Sequence, residues 1–205
     1  MRRKPMEQGA FEIWPIHEAF YFESILFLTA SAVRSVGELN DALKVWSSRS
    51  EKEITSFSLD RILNPVQNII QQGAALSRYF WPSDKSDRRA KRARLLKEKI
   101  IVSEQSALKS RTLRNIIEHF DEKLDDYLAE GIAGQIIPEF VGDLSGDREV
   151  PIHVFRGFDP ATTTFEILGN KFEVEPIVAE IMQIEVRLSA MREKGSAPLP
   201  VAPSS

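Results

Sequence analysis

From residue 22 the apolar positions of the chain recur three and four apart, at Phe22, Ile25, Thr29, Ala32, Val36, Leu39, Leu43 and Trp46. This alternation keeps one residue of every turn on the same side of a helix. With Pro15 suited to a first turn, it predicts one long helix over about 16–47. The stripe is the seam by which helices pack nearly antiparallel in a bundle.

The polar stretch SSRSEKE interrupts the pattern, which resumes at Leu59, Ile62, Val66, Ile69, Gly73, Leu76 and Phe80 and stops at Trp81-Pro82. A second long helix follows from it. Asn64-Pro65 leaves two forms open: a kinked helix, or one that begins afresh with Asn64 as cap and Pro65 in the first turn. Next, DRRAKRARLLKEKII carries Ala90, Ala93, Leu95, Leu96 and Ile100 as a weaker apolar side and predicts a third helix. A fourth is expected from about Ser106 to the stop signal at Gly131.

Beyond Gly131 the texture changes to short β-branched and aromatic runs punctuated by Gly, Pro and Asp. IHVF (152–155), TFEIL (164–168) and KFEV (171–174) predict three strands, the last two joined at Gly169-Asn170. Pro176 then opens a closing helix with Ile177, Ile181, Ile184, Leu188 and Met191 on one face, and the tail GSAPLPVAPSS is expected to be disordered. The fold class is therefore mainly α: an antiparallel helical bundle over 1–131, a small β-meander and C-terminal helix packed on it over 132–194, and a tail over 195–205.

Composition fits a globular chain: 205 residues, 42% hydrophobic and 28% charged. The most apolar stretch, Ser24 to Val33, is ten residues long between Glu23 and Arg34, against roughly 20 for a bilayer span. It is expected in a packed core, not in a membrane. The basic start MRRKPM is followed by Glu7, Glu12 and Glu18 without a cleavable apolar run, so no secretion signal is expected. The absence of cysteine excludes disulfides and thiolate chemistry and suits a cytoplasmic location.

Charge changes the picture more. Residues 85–99 hold eight Lys or Arg against Asp87 and Glu98, a local excess of about six in a chain of net charge -3. Arg88, Arg89, Lys91, Arg92 and Arg94, with Lys97 and Lys99, are available to neutralise phosphates. The other reading is a solvated face answering the acids Asp121, Glu122, Asp125 and Asp126. No aromatic residue interleaves the run, so it contains no stacking platform of its own.

The segment TLRNIIEHFDEKLDDYL (112–128) carries the second candidate. Wound at about 100° per residue, it sets Leu113, Ile116, Ile117, Phe120, Leu124, Tyr127 and Leu128 within roughly 60° of one direction. Arg114, Asn115, Glu118 and His119 then share the polar arc, with Arg114 and His119 about 140° apart. A histidine that titrates near neutrality, an arginine fork for a phosphate and an asparagine to orient either suit phosphodiester chemistry. The alternative is a solvated face with an Arg114–Glu118 pair and His119 at the core edge.

Arg114-Asn115-Ile116-Ile117-Glu118-His119 resembles the motif of the HEPN superfamily: Arg, four to six residues, then His, often with a polar residue straight after the Arg, on a late helix of an all-α bundle. The resemblance covers the helical part in architecture, about 16–131, and six residues in motif. It implies a metal-independent endoribonuclease or RNA-binding protein of the kind found in toxin and defence systems, acting as a homodimer in which two motif helices build one cleft, with a regulatory partner protein among the expectations. His119 would act as general base or acid, Arg114 would stabilise the charged transition state and Asn115 would orient His119. The tyrosine that a toxin subgroup carries two residues after the His is Asp121 here, so that subgroup's control does not transfer. The competing class is a non-catalytic interaction or scaffold protein.

Other chemistries find no footing. His17, His119 and His153 have no metal-ligand spacing, and there is no Walker loop, dinucleotide fingerprint or nucleophile elbow, so no cofactor is implied. His153 reads as the outward residue of an alternating strand.

Overall fold

The computed structural model describes residues 13–48, 57–84, 86–131, 133–145 and 152–194. The first six residues, most of SSRSEKE and the C-terminal tail lie outside them. The chain is mainly helical with a small four-stranded mixed sheet.

Helix α1, Pro15–Ser47, has Pro15 in its first turn, and α2, Asp60–Phe80, packs along it. Phe22, Ile25 and Ala32 of α1 share one core cluster with Ile62, Val66, Ile69 and Leu76 of α2, and the buried Thr29 hydroxyl donates to Glu185 of the closing helix. Of the two forms open at Asn64-Pro65, the structure takes the uninterrupted one: Pro65 is buried inside α2. By length and composition α1 is apolar enough to cross a bilayer. It buries Ile25 and Leu26 in the protein, while Ile16, Phe20 and Phe27 stand exposed.

Helix α3, Asp87–Ile100, buries Ala93, Leu96 and Ile100; Ala90, expected on that side, is exposed. It ends at Ile101, whose φ of 60° and ψ of 50° are left-handed, a conformation usually left to glycine. Arg187, from the closing helix, donates to the Ile101 carbonyl at 2.6 Å and the Ile100 carbonyl at 3.2 Å, holding the exposed end carbonyls.

The expected helix over 106–131 is three pieces. A 3-10 turn covers Ala107–Lys109, α4 covers Arg111–Glu118, and α5 covers Phe120–Ala129. Ser110 starts α4 by accepting from the Leu113 N–H at 3.3 Å. His119, at φ -122° and ψ 41°, ends it and begins α5. The reason is tertiary: α5 buries no residue fully, and Phe120 turns to meet Phe155 of the sheet edge to face, ring centres 5.6 Å apart.

The three expected strands form an antiparallel meander, β2 (Ile152–Asp159), β3 (Thr164–Ile167) and β4 (Asn170–Glu173). A fourth strand, β1 (Gln135–Val141), pairs parallel to β2 along the outer edge. There Pro138, lacking an N–H, is tolerated. Arg156 of β2 reaches Glu139 of β1 at 2.5 Å and Gln67 of α2 at 3.0 Å, tying the sheet to the bundle. The closing helix α6, Val174–Glu193, begins two residues before Pro176 and buries Ile177, Ile181, Ile184 and Leu188.

Candidate functional site

Arg114 is not on a solvated arc. Its position at the margin of the α4 apolar face carries it inward, where it is 9% exposed. Nη1 donates to the Trp81 carbonyl just beyond the end of α2, and Nε, also buried, has no partner. The bond to the Trp81 carbonyl fixes the guanidinium beside the space that Arg114 lines.

That space is a groove of about 440 Å³ between α3 and α4, floored by Phe80 and Trp81. Arg94 and Lys97 reach it from α3, Lys109 from the 3-10 turn, and Arg111 and Arg114 from α4. Among the described residues its lining holds five cations and no carboxylate. A contiguous hollow of about 330 Å³ shares Arg111 and Arg114 and adds Asn115 and Glu118. The two regions singled out in the sequence thus converge on one cavity through Arg94 and Arg114.

One acid borders the groove. Glu104 accepts from Trp81 Nε1 at 3.1 Å and from Lys109 at 3.0 Å and pairs with Lys97. These donors, Lys97 first, hold its carboxyl at about 2, well below the usual range. Lys97 and Lys109 share its single negative charge, whereas Arg94 and Arg111 have no acidic partner among the described residues.

The remaining cations of α3 are mostly answered locally. Arg89 pairs with Asp84 at 2.5 Å, Lys91 with Asp87 at 2.9 Å and Lys99 with Glu18. None of these reaches the acids of α5, so the expected answer from Asp121, Glu122, Asp125 and Asp126 does not form. Arg92 donates to the Arg78 carbonyl at 2.7 Å and lies over the rings of Tyr21 and Tyr79; Arg88 lines the same side.

His119 and Asn115 stand differently from the helical wheel. The break turns His119 out to solvent, its Nδ1 3.5 Å from Glu122. Asn115 is exposed and linked to it through the main chain, the His119 N–H donating to the Asn115 carbonyl at 3.0 Å. Glu118 pairs with Arg78 at 3.3 Å, not with Arg114. Within one copy, Arg114 faces the groove while His119 lines neither hollow.

His153 is not an outward strand residue either. Its Nε2–H donates to the Ala133 carbonyl at 3.1 Å, and its Nδ1 is hydrogen-bonded to the Tyr127 hydroxyl at 2.8 Å. It is a structural clip between α5 and the sheet.

Lys97, Lys109 and Arg111 complete the groove and carry weight that the motif alone did not give them. The signal was present: Lys109, Arg111 and Arg114 fall within six residues, with Ser110 as a cap between the first two. Among the described residues no three His, Asp or Glu side chains group to hold a metal ion. Comparison with protein-family models, with curated proteins and with solved structures finds no match for the chain.

Proposed function

We propose that this protein binds RNA by its phosphate backbone in the groove between α3 and α4. One observation carries the reading: five cationic side chains from three elements surround a cavity whose lining, among the described residues, holds no carboxylate, and the buried guanidinium of Arg114 is held in place there by the Trp81 carbonyl. Planar forks suit phosphate oxygens, and a site already ordered by the Trp81 carbonyl and Glu104 spends little entropy on binding. Arg94, Arg111 and Arg114 supply the uncompensated charge.

The HEPN-like reading extends this to metal-independent cleavage by a homodimer. What favours it is the division of labour along RNIIEH: Arg114 is fixed inside a cationic groove and His119, at the helix break, is exposed for a second copy to meet. In that arrangement His119 of one copy would take the ribose 2′-hydroxyl proton or protonate the leaving oxygen, and Arg114 would stabilise the charge on phosphate.

The test is a binding and cleavage assay with RNA in chelator. Arg94→Ala with Arg111→Ala should abolish binding at moderate salt while circular dichroism stays native; retained affinity overturns the backbone-binding reading. His119→Ala should bind as wild type and lose cleavage. Equal cleavage by mutant and wild type overturns the catalytic extension alone.

A further inference from the structure

On the other flank of α3 lies a second cleft, about 460 Å³, lined by His17, Phe20 and Tyr21 of α1 and by Arg88, Arg89 and Arg92. The volume falls within the range of small-ligand clefts, roughly 300–1,000 Å³. Its aromatic residues come from a helix far away in sequence, which is how a basic run without aromatics of its own acquires a stacking surface.

Phe20 is the telling residue. It is 72% exposed, and α1 does not need it for the core, which Phe22, Ile25 and Leu26 supply. A bare phenyl ring beside three arginines presents a flat apolar face next to positive charge. Arg92 deepens the character of the cleft: its guanidinium lies 5.9 Å from the Tyr21 ring centre and 5.5 Å from that of Tyr79. Rings for bases, with guanidinium groups for phosphates, are the parts by which proteins hold unpaired strands. A paired helix keeps its bases stacked on each other and offers none to Phe20.

The two clefts lie on opposite flanks of one helix. On the α3 wheel Arg88, Arg89 and Arg92 span roughly 100°, and Ala90, Ala93, Arg94 and Lys97 occupy another arc centred roughly 140° away. The buried seam of Ala93, Leu96 and Ile100 runs beneath, and Lys91 stands on the outer side. The thickness of a helix with its side chains, about 10 Å, separates the clefts.

We propose that the cleft between α1 and α3 is a base-stacking subsite in which Phe20 receives an unpaired nucleobase, making single-stranded RNA the preferred ligand of the protein. This rests on the backbone-binding reading of the groove on the other flank of α3. Arg92 flanks the stacked base, and the strand crosses α3 over Lys91 into the groove of Arg94, Arg111 and Arg114.

The experiment uses the full chain and fluorescence anisotropy with a labelled single-stranded RNA of about 12 nucleotides, within the usual footprint of compact single-strand binders, and a duplex RNA of the same length. Phe20→Ala should weaken single-strand binding by about 5- to 150-fold, the loss of one base–aromatic stack, and change duplex binding less than about twofold. Phe20→Trp should restore it. Because Phe20 is exposed, circular dichroism should be unchanged by either substitution. Single-strand binding indifferent to Phe20→Ala, or an equal loss for strand and duplex, overturns the subsite while leaving backbone binding in place. Absence of RNA binding by the wild type overturns both readings. A third arm uses vesicles of phosphatidylserine and phosphatidylcholine: if Phe20→Ala abolishes vesicle binding and leaves RNA binding intact, the cleft serves a lipid surface and the proposal fails.

Discussion

Arg92 and Arg114 are anchored to the same end of one helix, Arg92 through the Arg78 carbonyl and Arg114 through the Trp81 carbonyl, and each keeps a buried Nε without a partner. The C-terminal end of α2 offers carbonyls that no further turn satisfies, and its partial negative charge favours guanidinium groups. That one terminus orients a cation toward each flank of α3.

Arg114→Met keeps much of the side-chain bulk and removes both the charge and the bond to the Trp81 carbonyl. It should cost about 1–2 kcal/mol in urea unfolding with an unchanged m-value, since a half-buried carbonyl is left unsatisfied. Arg114→Lys should recover part of the stability but little of the RNA affinity, because an ammonium does not reproduce the fork.

Glu104→Gln should tighten RNA binding. Lys97 and Lys109 now share the single negative charge of the carboxylate, so its removal frees two cations of the groove. Affinity against salt concentration should steepen by about 0.7 for each added phosphate contact. The same residue carries a pH signature. Its carboxyl sits at about 2 in the fold against 4.5 unperturbed. The unfolded chain therefore binds the extra proton between those values, so the stabilisation is full above about 4.5 and disappears as pH falls through about 2. Being largely exposed, the cluster is worth about 1 kcal/mol or less. Wild type and Glu104→Gln, compared by unfolding from pH 5 to pH 2, should converge at the acid end.

Ile101→Gly should stabilise the protein. A β-branched residue at φ 60° pays roughly 1 kcal/mol that glycine does not, and the side chain is 70% exposed, so little burial is lost. The greater freedom of glycine in the unfolded chain offsets part of this. A net gain of about 0.5 kcal/mol in thermal or urea unfolding is expected; a loss of more than that would show Ile101 to be held by contacts outside its own backbone.

Gly73→Ala should destabilise although alanine is the better helix former by about 1 kcal/mol. A Cβ there would come within 3.0 Å of Ile177 Cγ2 and 3.4 Å of Leu108 Cδ2, where α2, α6 and the 3-10 turn meet. Overpacking at such a junction costs about 1–3 kcal/mol, leaving a net loss of up to about 2. Urea unfolding of Gly73→Ala should read that loss, and a stability equal to or above wild type would show that the Ile177 side chain gives way.

The long helices were legible because each had to keep one apolar residue per turn toward a neighbour, and the α1 and α2 stripes do so from Phe22 and Ile62 onward. The break at His119 was not, since Phe120, Leu124 and Tyr127 continue the same helical spacing and only the position of Phe155 tells the chain to turn. Strand β1 was hidden by Pro138 and by the lack of alternation in a strand that buries only Val141 fully. Arg114 lay at the edge of the apolar arc, where sequence alone places a charged residue in water; the Trp81 carbonyl that receives it is thirty-three positions away. The candidate residues were visible, but their meeting across one groove depended on how α3 and α4 each pack on α2.

The break at His119 also divides the chain by cohesion. On one side, α4 sinks Leu113, Arg114 and Ile116 into the interior; on the other, α5 is held only by partly covered side chains and by the Tyr127–His153 clip. Segments with so little interior contact open first, at a free energy well below that of global unfolding. Amide exchange should therefore run fast through 120–129 and slow abruptly before residue 117. His119 sits on that boundary like a door on its frame, free to swing with α5 while Arg114 stays where it is.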